Sequence, residues 1–282
     1  MKTLVVLSLG LALLIASPAQ SQTLYDDFTG PLLNAQKWLG NRQVGTNVSN
    51  TLEFGQVIAK KKLDVFNRCF GSIDDGNTGT RPCATRLVMQ NGADVIAMEA
   101  LVQPIALEQS GCALNDTGTT FIRFGGAFFN STPITGTVTG QLNDVLAFIG
   151  LERDVDSSDP PGVMSITGSV YRCLDDTCSQ SALVTTTGAS NPVVLGKINV
   201  KKKIQLKLVY DPNGNRFIFT QGKGKKAVQE EIEYTLNENF IPGAINGGFK
   251  RLEIRHGLAN CQAGPASSWA RAYFDNFFVT RE

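Results

Sequence analysis

The run Glu152-Arg153-Asp154-Val155-Asp156 places a carboxylate at every second position. Alternate side chains of a β-strand point to one face, so this spacing would set three carboxylates side by side. Such a set could hydrolyse a glycosidic bond. That reaction needs one ionised carboxylate as nucleophile and one protonated carboxyl as acid, roughly 5–5.5 Å apart where configuration is retained. The same residues also read as a solvated strand end, because Ser157-Ser158-Asp159-Pro160-Pro161 follows at once and has the composition of a turn.

Trp269, Arg271 and Tyr273 share one parity and so one face of a strand. An indole, a guanidinium and a phenol are the groups that stack on sugar rings and fix hydroxyls. Trp38, the other tryptophan, follows a short apolar stretch and is expected in the core. His256 is the sole histidine, which excludes any mechanism needing two imidazoles. A serine-histidine-acid triad would have to use it, and no Gly-x-Ser-x-Gly elbow occurs; it reads as an ordinary strand residue closing Arg251-Leu252-Glu253-Ile254-Arg255. Lysines at Lys60–Lys62, Lys201–Lys203 and Lys223–Lys226 read as solvated turns. They would form a polyanion site only if the fold brought them together. Asp74, Asp75 and Asn77 make an oxygen-rich loop that turn chemistry also explains.

The elements positioning these groups are strands. Short runs rich in β-branched and aromatic residues alternate with Gly, Pro, Asn and Asp clusters, and three-four periodicity is nearly absent. The clearest are Ala93–Val102, Thr119–Phe129, Val145–Val155, Val163–Cys173, Ile204–Tyr210, Arg216–Gln221, Gly248–His256 and Ala270–Thr280. Asp211-Pro212-Asn213-Gly214-Asn215 predicts a hairpin, with proline presetting one dihedral and Asn-Gly accepting positive φ. The single helical suggestion is Pro31–Trp38. No repeat or low-complexity linker divides the chain, so one all-β domain is expected.

Lys2, the apolar run Leu4–Ile15 and the small residues Ser17, Ala19 and Ser21 form a secretory signal, cleaved after Ala19 or Ser21. The expected organisation is a signal peptide at 1–21 and one β-sandwich domain at 22–282, secreted or periplasmic and without a membrane span. Six cysteines in an exported chain predict three disulfides. Cys173 and Cys178 close a short loop, Cys69 and Cys83 bracket a turn-rich one, and Cys112 is left with Cys261. Zinc is disfavoured by one histidine and no Cys-x-x-Cys pair. The 26 basic and 25 acidic residues nearly balance, which argues against nucleic acid as the main partner.

Tyr25-Asp26-Asp27-Phe28-Thr29-Gly30-Pro31-Leu32, leading to Lys37-Trp38, and the closing Ala272-Tyr273-Phe274-Asp275-Asn276-Phe277-Phe278-Val279 resemble the first and last strands of the concanavalin A-like jelly-roll superfamily. That superfamily includes laminarinase-like glycoside hydrolases and laminin-G-like modules, and the hairpin at Asp211-Pro212-Asn213-Gly214 is similar to one recurring there. The resemblance implies a single jelly-roll sandwich of two antiparallel sheets with paired N- and C-terminal strands. It also implies a structural calcium between the terminal strands, with Asp27 and Asp275 as ligands, although calcium wants six to eight oxygens. The catalytic motif of the laminarinase-like members is glutamate, apolar, aspartate, apolar, glutamate; here Arg153 replaces an apolar spacer and Asp156 the second glutamate. The expectation is therefore a secreted, non-enzymatic sandwich recognising an extracellular glycan or cell-surface component. The alternatives are a glycoside hydrolase or lyase using Glu152, Asp154 and Asp156, and a structural or assembly component of the cell surface.

Overall fold

The computed structural model describes residues 21–45, 51–71, 80–111, 118–133, 140–184, 190–234, 240–243, 249–259 and 266–282. The signal segment through residue 20, the Asp74–Asn77 loop, Cys112 and Cys261 lie outside the described residues, and with them the third expected disulfide.

Alternation drives the architecture. In β17 (Ser267–Arg281), Ala270, Ala272 and Phe274 are fully buried, whereas Trp269, Arg271 and Tyr273 between them are half-buried on the opposite face. A strand with one apolar face must hide it against another layer. Around β17 forms sheet I, in the order β14 (Val228–Glu233), β13 (Arg216–Gln221), β12 (Ile204–Asp211), β6 (Val95–Ser110), β17, β4 (Leu63–Phe70) and β3 (Thr51–Ile58). β1 (Thr23–Asp26) completes the eight strands by pairing with the far end of β17, Thr23 opposite Val279 and Leu24 opposite Phe278.

Sheet II runs β10 (Ser181–Leu183), β9 (Val163–Cys173), β8 (Asp144–Asp154), β7 (Thr119–Pro133), β16 (Lys250–Ala259), β5 (Thr80–Met89) and β2 (Trp38–Gly45). β11 (Val193–Asn199) joins β9 and β15 (Phe240–Gly243) joins β7, giving nine strands. Every pairing is antiparallel. The chain is a jelly-roll β-sandwich closed by its own first and last strands, as the terminal motifs imply.

The core lies between the sheets, from Leu63, Met98 and Phe274 on one side to Phe124, Ile149 and Leu252 on the other. Trp38 is 1% exposed, as expected. Its ring stacks on Phe28 at 5.9 Å and meets Tyr25 edge-on at 5.3 Å. Its Nε1 donates to Asp26 Oδ2 at 2.7 Å. The segment expected to be helical before it is a turn, in which the amides of Lys37 and Trp38 both donate to Asn34 O. Eight residues with Pro31 at one end and a buried tryptophan at the other gain more from that packing than from two helical turns. The 211–215 hairpin forms as expected, with Asp211 Oδ1 accepting from the amides of Asn213 and Gly214.

Cys69–Cys83 ties β4 to β5 and therefore sheet I to sheet II. Beside it runs a buried polar chain. His256 Nε2 donates to Asn67 O at 3.2 Å, which leaves Nδ1 to accept from the Thr120 hydroxyl at 2.9 Å. Thr120 Oγ1 in turn lies 2.7 Å from Ser268 Oγ and accepts from Gln109 Nε2 at 2.9 Å. Both imidazole nitrogens are thus used with the ring neutral, and burial pushes its pKa down to about 4 despite the opposing bond to Asn67. Because the folded value lies below the ordinary 6.5, the unfolded chain binds more protons between the two, and stability is lost as pH falls from about 6.5 toward about 4. The melting temperature of the wild type is expected to drop across that window more steeply than that of His256→Gln; parallel profiles would show that the ring does not titrate in this way.

Candidate functional site

β16 carries Arg251, Glu253 and Arg255 on the face turned away from the core, opposite the buried Lys250, Leu252, Ile254 and His256. Antiparallel register sets Arg86 of β5 directly opposite Glu253 on one side and Arg123 of β7 on the other. Glu253 is 0% exposed. Its Oε1 accepts from Arg123 Nε at 2.6 Å and its Oε2 from Arg86 Nε at 2.9 Å. Arg251 Nε lies 2.8 Å from Oε2 as an ion pair that makes no hydrogen bond.

Burial raises the cost of the Glu253 charge, but Arg251, Arg123 and Arg86 outweigh it and hold the carboxyl well below the usual range. Arg123 is buried too, yet Glu253 keeps its proton on more tightly than usual. Arg251 is in the opposite position: burial drives it down to about 9, with Glu253 opposing and Arg86 and Arg123 adding to the fall. Arg255 is lowered by burial and by Arg123.

Neighbouring strands build walls around these groups. Phe148 of β8 lies under two guanidiniums, Arg123 at 4.1 Å and Arg251 at 4.9 Å from the ring centroid. Gly150 stands opposite Arg123, where any Cβ would fall 2.3 Å from that of the arginine. Tyr171 of β9 meets Phe148 edge-on at 6.3 Å. The Cys173–Cys178 disulfide forms as expected, and its loop is organised by Asp175, which accepts from Thr177, Ser179 and Gln180. That loop and the start of β10 bring Thr177, Ser179 and Ser181 to the rim of a pocket of about 320 Å³ whose floor is the arginine cluster.

The carboxylate candidates share this sheet face in part. Glu152 follows Phe148 and Gly150 on the outward side of β8; burial pushes its carboxyl up, while a bond from Thr167 Oγ1 at 3.0 Å pulls it down. Asp154 ends the strand, exposed, accepting from Thr119 Oγ1 at 2.6 Å. Asp156 lies beyond β8 in an exposed turn, so the alternation that would align three carboxylates stops at two. Arg153, the unexpected spacer, donates to the carbonyls of Asp159, Pro160 and Val163 and fixes that turn.

Trp269, Arg271 and Tyr273 do share a face, the outer one of sheet I, but they are engaged with one another's neighbours. Arg271 forms a two-pronged pair with Asp64 at 3.0 and 2.6 Å. Arg68 covers Trp269 at 5.0 Å, and Lys62 lies 5.6 Å from the Tyr273 centroid. Two of the three lysine turns meet, since Lys62 is lowered by burial and by adjacent Lys203. Asp27 accepts from the backbone and hydroxyl of Thr29, a local turn that lowers its carboxyl. Asp275 sits where the β6–β17 register shifts. Among the described residues no three acidic, histidine or cysteine side chains converge as a metal site; Asp27 and Asp275 would supply only part of the six to eight oxygens that calcium takes.

No protein-family model matches the chain, and no curated protein matches it. Among solved structures, it is similar to a glycosyl hydrolase family protein from Mycobacterium fortuitum, at 10% identity over 90% of this chain and 98% of that one, TM-score 0.40. It is also similar to a prokaryotic β-1,3-1,4-glucanase (lichenase) from a mouse hindgut metagenome, at 10% identity over 91% and 98%, TM-score 0.37. A third is a lectin from Bauhinia forficata in complex with GalNAc, at 9% identity over 86% and 99%, TM-score 0.29.

Removing one partner of a buried ion pair strands the others. Glu253→Gln should lower unfolding free energy by about 3–5 kcal/mol, read from urea titrations; a loss below about 1 kcal/mol would mean that the pair is solvated.

Proposed function

We propose that the protein is a non-enzymatic sandwich, exported as one domain over 22–282, that recognises carbohydrate in the pocket on the outer face of sheet II. The observation carrying this reading is the combination in one cavity of rigid planar cations, the half-exposed ring of Tyr171 and a hydroxyl rim. Saccharides present apolar ring faces to aromatics and hydroxyls to fixed polar groups. The cavity volume falls at the lower end of the ~300–1,000 Å³ typical of ligand pockets, room for a short saccharide. Strands and a disulfide-closed loop hold every wall, so little ordering is required when a ligand enters.

A second reading, glycoside hydrolase or lyase, is favoured by Glu152 alone. A carboxyl whose pKa burial pushes up suits a general acid. Its partner is the weak point, because Asp154 is exposed and Asp156 sits in a turn.

Screening the purified protein against a glycan panel tests both, with and without calcium. Binding is expected, weakened about tenfold or more by Tyr171→Ala and unchanged by Trp269→Ala. Absence of binding, or the reverse pattern of variants, would overturn the proposal. Release of new reducing ends that disappears in Glu152→Gln would replace it with the hydrolase.

A further inference from the structure

We infer that the saccharide entering this pocket is acidic, bearing a carboxylate or a sulfate that binds among Arg86, Arg251 and Arg255. This rests on the reading of the pocket as a carbohydrate site and specifies its ligand class. The pocket gathers four guanidiniums around a single ion-paired carboxylate. Among the described residues Glu253 is the one acidic side chain ion-paired with any of them, and Glu152 also feels Arg123, so even with both carboxylates counted at least two positive charges remain in excess. Charge withdrawn from water is costly unless it is paired and hydrogen-bonded.

Arg251 shows that the compensation is incomplete. It is 7% exposed and lines the cavity, yet its Nε finds no aligned acceptor among the described residues. A guanidinium does not release its proton at neutral pH, so a site that disfavours its charge instead gains from an anion. Carboxylate and sulfate oxygens match its forked donors in a way that neutral hydroxyls cannot. The rest of the cavity selects a sugar over a bare ion: Tyr171 offers a ring face and Thr177, Ser179 and Ser181 offer hydroxyls at the rim.

Calorimetric titration of the full protein separates the cases. The probes are oligogalacturonates, sulfated galactan oligosaccharides that carry no carboxylate, neutral cello- and laminari-oligosaccharides of equal length, and sodium sulfate. One of the two acidic series should bind at least about tenfold more tightly than the neutral ones, and its affinity should fall as salt rises from about 50 to 500 mM. Which series wins identifies the carboxylate or the sulfate. Arg255→Gln, which leaves the three ion pairs of Glu253 in place, should weaken acidic binding about tenfold or more while the protein still melts cooperatively. Neutral oligosaccharides binding as well as acidic ones, with no salt dependence, would overturn the inference while leaving carbohydrate recognition standing. No saccharide binding at all would overturn both, and sulfate binding as tightly as any oligosaccharide would reduce the pocket to an anion site.

Discussion

A carboxylate with no access to water must be neutralised by cations that hydrogen-bond it, and Glu253 meets that requirement on the outer face of a sheet rather than in the core. Its two oxygens hold Arg86 and Arg123 from strands on either side, which register places directly opposite it. Breaking the carboxylate would leave guanidiniums stacked on Phe148 with nothing to balance them. The same cluster that locks β5, β16 and β7 together therefore also presents positive charge outward, beyond what one carboxylate cancels.

The sandwich makes that arrangement affordable by separating its duties. Inward residues of β16 serve the core and the His256 chain that joins the sheets next to Cys69–Cys83. Outward residues build the ion-pair cluster, and Arg251 and Arg255 among them line the pocket. Lys250 marks the limit of this division: it points inward, donates to Gly92 O and Ala127 O, and burial pulls its pKa to about 7. The second disulfide, Cys173–Cys178, works at the rim, where it holds a hydroxyl-bearing loop against the arginine floor.

Strand positions and terminal pairing were legible because alternation and aromatic spacing are local signals. Val163–Cys173 and Arg216–Gln221 coincide with β9 and β13, and the two disulfides within the described residues follow from short loop spacing. The arginine pocket was not legible in the same way. Its cations come from β5, β7 and β16, whose adjacency depends on topology that spacing does not encode. A trace of it existed in Arg251-Leu252-Glu253-Ile254-Arg255, where charge alternates with apolar residues, and in Arg123 within the apolar run of β7. The carboxylate run left two readings open because alternation projects residues onto one face only while the strand lasts, and β8 ends at Asp154. Trp269, Arg271 and Tyr273 share a face as parity requires, but parity is silent about Asp64 and Arg68, which engage them from β4.

The central claim is that ligand lies on the outer face of sheet II. A crystal structure with a bound acidic trisaccharide tests it most directly. The account predicts a carboxylate or sulfate within hydrogen-bonding distance of Arg251 and Arg255 and a sugar ring against Tyr171. Saccharide seated instead along Trp269, Arg271 and Tyr273 on sheet I would contradict it.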